Sequence, residues 1–228
     1  MPFFFYDPTM ILLVPAFILA IWAQVRVKRT YRKYQKIGSS QNTTGAKVAK
    51  QILNINGIYD VEVEPVKGEL SDHYDPRVKK VRLSEANYNS NSLAAIAVAA
   101  HETGHAIQHA TGYTPLKMRH SILPVTNFAS WAAFPIFLVG FFFNTPWLIT
   151  AGIAFFAAVV LFHMVTLPVE FNVSSRALKQ LSNQGMLMEQ ELSGAKKVLN
   201  AAALTYVAAA AMALLQLLRL VILSNSRD

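Results

Sequence analysis

The sequence contains no cysteine and few charged residues, and both absences narrow what this chain can be. Without cysteine there is no disulfide, no thiolate metal site and no cysteine nucleophile, so any metal must be held by His, Asp or Glu. Only 15% of the 228 residues are charged, whereas soluble domains have about 25%. Together with a hydrophobic content of 53%, this deficit indicates a membrane protein rather than a water-soluble one.

The formal net charge of +8 could suggest nucleic-acid binding, but the positions of the basic residues argue against it. They crowd beside apolar segments, as juxtamembrane charges do. Six of them follow the first apolar segment directly: Arg26, Lys28, Arg29, Arg32, Lys33 and Lys36. We therefore expect the lipid bilayer as a partner, and no nucleic acid.

Long apolar segments predict four transmembrane helices. They cover residues 3–25, 128–143, 147–169 and 201–223. The first is interpreted as an uncleaved anchor, because its positive charges follow the apolar stretch instead of preceding it. The two middle segments are separated only by "NTP" and predict a hairpin across the membrane.

The basic residues also predict an orientation for these spans. Nearly all Lys and Arg fall in residues 26–120 or 171–203, the exceptions being Arg219 and Arg227. The positive-inside rule therefore predicts cytoplasmic polar regions and external termini. The predicted domains are an N-terminal anchor (1–27), a cytosolic α+β unit (28–120), a transmembrane hairpin (121–169), a cytosolic helical segment (170–200) and a C-terminal transmembrane helix (201–228).

Within the α+β unit, the sequence pattern predicts two helices and two strands. Residues 47–55 form an amphipathic helix pattern, and residues 93–111 a second helix that Gly112 closes. The alternating stretches "YDVEVEPV" and "VKKVRLS" predict half-buried strands. Between them, residues 67–76 are rich in turn formers.

The sequence "HETGH" at residues 101–105 predicts a metal site. His101 and His105 lie one helical turn apart and can share one ion, while Glu102 is placed to hold a metal-bound water. In zinc hydrolases with this pattern the ion lowers the pKa of that water and polarises the scissile carbonyl, and the glutamate acts as general base. The alternative is a chance match in an apolar helix, but the apolar run before His101 is too short for a membrane span.

A third protein ligand is needed, and His109 is poorly placed to provide it. On a continuous helix it lies about 6 Å beyond His105, and the glycine-broken helix of metzincins has no counterpart, since Gln108 and Thr111 occupy the required positions. Glu170 is the better candidate, because the membrane hairpin returns it to the side of His101. An ordinary interfacial glutamate remains the alternative.

Four stretches resemble the YugP-type neutral zinc metallopeptidases, a family of bacterial multi-pass membrane proteins. They are "LSDHYDPRVKKVRLSEANYN", "AAIAVAAHETGHAIQHATGY", "LPVEFNVSSRAL" and "AAALTYVAAAAMALLQLLRL". The resemblance implies a mainly α membrane protein, with about four transmembrane helices and a small cytosolic α+β gluzincin-like metallopeptidase unit. It also implies one catalytic zinc ion held by His101, His105 and Glu170. Related membrane gluzincins often have an acidic residue where this chain has Ser174.

The stretch "SDHYDP" resembles the strand that precedes the catalytic helix in this family. An edge strand there could hold an extended peptide by main-chain pairing, and His73 or Tyr74 could donate a hydrogen bond to the oxyanion. A polar turn formed by Asp72 and Asp75 is the alternative.

The leading functional hypothesis is a zinc endopeptidase that acts on membrane or membrane-proximal proteins at the cytoplasmic face. Two alternatives stay open: a zinc-binding membrane scaffold without catalysis, and a zinc hydrolase of a non-peptide amide. Glu102 argues against the scaffold, because a structural zinc site needs no base.

Overall fold

The computed structural model describes residues 8–226, and helices dominate it. Its elements are a 3-10 turn (Pro8–Leu13), α1 (Val14–Tyr34), α2 (Gly45–Ile55), β1 (Glu62–Val66), β2 (His73–Asp75), β3 (Lys80–Ser84), α3 (Glu85–Tyr88), α4 (Leu93–Ala110), α5 (Thr114–Phe142), α6 (Pro146–Asn183) and α7 (Glu189–Asn225). Residues 3–7 of the first predicted span lie outside the described residues.

Within the described chain, four helices are long and apolar enough to cross a bilayer. They are Pro8–Tyr34, Thr114–Phe142, Pro146–Asn183 and Glu189–Asn225. Helix α4 is not among them, as expected from the short apolar run before His101. The predicted class, a mainly α membrane protein with about four transmembrane helices and a small unit containing short strands, is confirmed.

The chain divides into two compact units, each assembled from segments that are distant in sequence. The membrane unit comprises residues 8–24, 118–168 and 205–226 of the described chain. The α+β unit comprises residues 25–117 and 169–204. The five-segment division of the sequence stays a prediction.

Glycines set the packing of α5 against α6 in the membrane unit. A Cβ on Gly140 would lie 2.6 Å from the backbone nitrogen of Ile149, and one on Gly152 would lie 2.8 Å from Cα of Phe137. Neither position has room for a side chain, so the two backbones approach closely, as small residues allow in membrane helix pairs. Asn144, with φ 51°, lies in the turn that joins the helices.

Three strands form the sheet of the α+β unit, in the order β1-β3-β2. Strand β1 runs parallel to β3, whereas β2 runs antiparallel to it and places Tyr74 opposite Val81. Of the two alternatives for this stretch, the structure therefore shows an edge strand. Asp72 stabilises the start of strand β2, because the Asp72 carboxylate accepts hydrogen bonds from the backbone nitrogen and the hydroxyl of Ser84.

The alanine enrichment of α4 serves close packing inside the α+β unit. Six alanines of this helix are at most 1% exposed: Ala94, Ala95, Ala97, Ala99, Ala100 and Ala106. Helix α2 packs nearby, and a Cβ on its first residue, Gly45, would meet the carbonyl oxygens of Asn87 and, at 3.2 Å, Ala95. Ser92 begins α4 by accepting a hydrogen bond from the Ala95 nitrogen at 3.2 Å. Small residues thus let α4 lie deep in the core.

The second half of α6 belongs to the α+β unit and has a buried stripe. Val169, Val173, Ala177 and Leu181 recur every four residues and are at most 1% exposed. This spacing keeps them on one helical face. The helix therefore continues well past the apolar segment that predicted it, and Glu170 lies at the start of the continuation.

Candidate metal centre

Helix α4 presents the two histidines of "HETGH" on one face. The ring centroids of His101 and His105 are 5.0 Å apart, and the ring planes are perpendicular. Both side chains are 12% exposed, so solvent reaches them only in part. This arrangement follows from their spacing of one helical turn, and it leaves both rings able to face a common point.

Gly104, inside the same motif, allows α6 to pass close to the histidines. A Cβ at this position would lie 2.6 Å from Cγ2 of Val173 and 3.3 Å from the carbonyl oxygen of Val173. Favourable carbon–carbon contacts begin at about 3.5 Å, so any side chain here would push the helices apart. Glycine therefore sets the separation of α4 and α6 at the level of the histidines.

Glu170 is only 2% exposed and directs its carboxylate at both rings. Its Oε2 lies 3.3 Å from Nε2 of His101, and its Oε1 lies 3.8 Å from Nε2 of His105. One ligand atom from each of the three residues falls in a group whose atoms all lie within 4.8 Å of one another. The structure thus brings together the three side chains that the sequence predicted as ligands.

The donor set and its spacing fit a zinc ion. Two ligand atoms that each lie about 2.1 Å from a tetrahedral ion are about 3.4 Å apart. The two nitrogen–oxygen distances of 3.3 and 3.8 Å bracket this value. Two imidazoles and one carboxylate also form a donor set found in catalytic zinc sites, which keep their fourth position for water or substrate.

The Nδ1 atom of each histidine contacts an uncharged side chain. Nδ1 of His101 lies 3.3 Å from Oγ of Ser174, and Nδ1 of His105 lies 3.1 Å from Oε1 of Gln108. In many metal sites a carboxylate or backbone carbonyl occupies this position and orients the ligand. Here a hydroxyl and an amide occupy it, and Ser174 is the residue that stands where related proteins often have an acidic one.

Glu102, the predicted general base, has a perturbed acidity. Burial raises the pKa of Glu102 to about 7, the nearby His101 lowers it, and the Glu170 carboxylate raises it. A bound cation would favour the charged carboxylate and lower the pKa again. Without metal, the pKa lies near neutral pH, where a group can both accept and release a proton, as a general base must.

The edge strand β2 brings His73 and Tyr74 beside helix α4 within the α+β unit. Nδ1 of the exposed His73 lies 2.7 Å from the carbonyl oxygen of Ser71. A carbonyl can only accept, so Nδ1 bears the proton, and the ring can donate from Nε2 only in its protonated form. His73 as an oxyanion donor stays a prediction under this condition.

His109 does not belong to the three-residue ligand group. Its Nδ1 lies 2.8 Å from the hydroxyl of Tyr74, so it connects the end of α4 to strand β2. Burial, followed by the charges of Asp60 and Asp75, raises the pKa of Tyr74 to about 12. The phenol therefore stays protonated at physiological pH, and it donates to or accepts from the ring according to the tautomer of His109.

Sequence reasoning missed the role of Gln108. This residue entered only as a position where a metzincin would have glycine, yet its side chain is fully buried and contacts a predicted ligand. The available signal was its place three residues after His105, on the same helical face. A buried amide at that spacing from a candidate ligand predicts a hydrogen bond to the ligand.

Together, the fold and the site define a multi-pass helical membrane protein with a cluster of two histidines and one glutamate that could hold a metal ion. The chain belongs to the family described as "Putative neutral zinc metallopeptidase", whose family model matches residues 9–225. It is also 51% identical over 218 residues to the "Putative membrane protease YugP" of Bacillus subtilis (strain 168), covering 95% of this chain and 97% of that protein. No solved structure matched the chain. The family resemblance seen in the motifs is confirmed, and with it the class of membrane zinc metallopeptidases.

Proposed function

We propose that this chain is a zinc-dependent endopeptidase that cleaves membrane or membrane-proximal proteins at the cytoplasmic face. The observation that supports it most directly is the convergence of His101, His105 and Glu170 within 4.8 Å, with Glu102 on the same helical turn. These three residues would hold one zinc ion. The chemistry that zinc supplies when bound is Lewis acidity, which lowers the pKa of a coordinated water and polarises a carbonyl.

The chain's own residues have distinct tasks in this proposal. Glu102 takes a proton from the attacking water and returns it to the leaving amine. Strand β2 has β3 on one side and forms an outer edge of the sheet, so it can pair with an extended peptide. His73, in its protonated form, and Tyr74 are the candidates for contacts with the polarised carbonyl oxygen.

The edge strand favours a peptide substrate over a small amide, because main-chain pairing needs a main chain. Glu102 favours catalysis over a structural zinc site, which closes with four protein ligands and needs no base. The cytoplasmic orientation is supported by the basic residues of 26–120 and 171–203.

A paired experiment tests the proposal. The protein is purified in a mild, non-chelating detergent, its bound zinc is measured, and cleavage of a loosely folded membrane protein is compared for wild type and Glu102→Gln. We expect both proteins to contain zinc, and the variant to lose about 100- to 10,000-fold in rate, the usual contribution of a general base. Equal cleavage by the two proteins would exclude Glu102 as the base, and a wild type without zinc would refute the metal site.

A further inference from the structure

We propose that Gln108 is a positioning residue for the metal centre. Its side-chain amide fixes the tautomer of His105 and holds the Glu170 segment of α6 in place. This inference rests on the proposed zinc site and adds a residue that neither the motif nor the family description includes.

The amide of Gln108 connects the two helices that supply the ligands. Its Oε1 lies 3.1 Å from Nδ1 of His105 on α4. Its Nε2 donates to the carbonyl oxygen of Val169 and to Oδ1 of Asn172, both at 3.0 Å. These two acceptors flank Glu170 on α6. The side chain is fully buried, so water does not compete for these hydrogen bonds.

These hydrogen bonds determine which way the Gln108 amide points and which nitrogen of His105 bears the proton. The carbonyl of Val169 can only accept, so the NH₂ group of Gln108 must face α6 and its oxygen must face His105. That oxygen can only accept, so Nδ1 of His105 must bear the proton. Nε2 then keeps its lone pair, and this is the nitrogen that faces Glu170 at 3.8 Å. The amide therefore holds His105 in the tautomer that a metal ligand requires.

The contact of His101 with Ser174, whose Oγ lies 3.3 Å from Nδ1, does not fix the tautomer of His101. A hydroxyl can donate or accept, so this contact is compatible with either tautomer. The Ser174 contact is thus less selective for one tautomer than the Gln108 contact. Loss of Gln108 should weaken metal binding more than loss of the Ser174 hydroxyl.

The Asn172 side chain, which accepts a hydrogen bond from the Gln108 amide, is itself held in place. Oδ1 of Asn172 also accepts a hydrogen bond of 2.7 Å from Nε of Arg176, whose guanidinium lies 5.8 Å from the ring centre of Tyr113. Arg176 therefore holds the acceptor that orients the amide. The support of His105 is a chain of neutral groups ending in a cation, where other sites use a carboxylate.

The test uses the full-length protein in detergent and measures metal binding as well as cleavage. Gln108→Met keeps the side-chain volume but removes every polar atom, and Ser174→Ala is the matched variant at His101. Zinc affinity is measured by competition with a chromophoric chelator. The visible spectrum of the cobalt-substituted protein reports the ligand geometry. Thermal unfolding of the metal-free proteins shows whether the fold is retained.

We expect Gln108→Met to weaken zinc binding by about 10- to 100-fold, the usual effect of removing a group that supports a ligand. Its cobalt bands should shift, while Ser174→Ala has the smaller effect on both. Gln108→Glu should recover part of the loss, because its carboxyl keeps an oxygen that can accept a hydrogen bond from Nδ1 of His105. If Gln108→Met does not fold, Asn172→Leu replaces it: this variant removes one acceptor of the Gln108 amide and should weaken zinc binding more than Ser174→Ala does.

Wild-type affinity and an unchanged cobalt spectrum in Gln108→Met would overturn the inference. A loss of zinc affinity in Gln108→Met that Gln108→Glu does not recover would also count against the inference. Gln108 would then contribute through core packing and not through its hydrogen bond to His105. Failure of the zinc site itself looks different. In that case the wild type binds no zinc, and His105→Ala binds as much as the wild type does.

Discussion

The close approach of α4 and α6 at Gly104 makes zinc affinity sensitive to a single methyl group. In Gly104→Ala the new Cβ would lie 2.6 Å from Cγ2 of Val173, about 1 Å inside normal contact. The metal-free protein can relieve the clash by letting the helices separate. Zinc binding draws Glu170 back towards the histidines and restores the clash. The strain therefore falls on the metal-bound state.

The expected magnitude follows from the cost of overpacking. Forcing an extra methyl group into a packed contact costs about 1–3 kcal/mol, which corresponds to a loss of roughly 5- to 150-fold in zinc affinity at 1.4 kcal/mol per tenfold change. Alanine also favours the helix by about 1 kcal/mol over glycine. That gain applies with and without metal and cancels in the affinity.

Chelator competition on detergent-purified protein measures the effect, with two variants as controls. Gly152→Ala creates a similar clash, 2.7 Å from Cβ of Phe137, inside the membrane unit, and should leave zinc affinity unchanged. Gly104→Ala combined with Val173→Ala removes the nearest atom and should recover much of the affinity. Wild-type affinity in Gly104→Ala, or no recovery in the double variant, would refute the argument from helix separation.

Three further predictions concern ligands, metal and orientation. Glu170→Ala should lose zinc while His109→Ala keeps it, measured as metal content after desalting; the reverse result would overturn the ligand assignment. Removing zinc with a strong chelator should abolish cleavage and adding zinc back should restore it, whereas cleavage that persists in metal-free protein would contradict a metallopeptidase. Because the chain has no cysteine, single substitutions can report topology to an impermeant maleimide. We expect Thr145→Cys to react on intact cells and Lys67→Cys only after permeabilisation, and the opposite pattern would invert the proposed orientation.

The grouping of His101, His105 and Glu170 was predictable from the sequence because it depends on two discrete facts. The spacing of His101 and His105 fixes a shared helical face, and the two-helix hairpin fixes the membrane side to which Glu170 returns. Neither fact needs knowledge of distances. The number of membrane spans between His105 and Glu170 was therefore enough to predict that the three candidate ligands lie on the same side of the membrane.

Other features depend on how the helices are rotated and packed, which sequence patterns do not specify. The hydrogen bonds of Gln108 require α6 to present Val169 and Asn172 at one particular angle. Strand β2 is only three residues long, too short to show alternation, and Asp72 stabilises it through Ser84 in another strand. The sequence predicted a separate helical segment from residue 170, but not that it continues the preceding span as one helix, Pro146–Asn183.

The burial of Glu170 links metal binding to the packing of the two helices. A carboxylate that is 2% exposed is costly unless positive charge or hydrogen bonds compensate it. The hydroxyl of Ser174 and the amide of Gln108, which contact the two imidazoles, carry no charge. A divalent ion placed among the three ligands offsets this cost, so part of its binding energy stabilises the close contact of α4 with α6. Gly104 makes the close contact of α4 with α6 possible, and the ion would strengthen that contact. A change in the packing of these helices must therefore change zinc affinity as well.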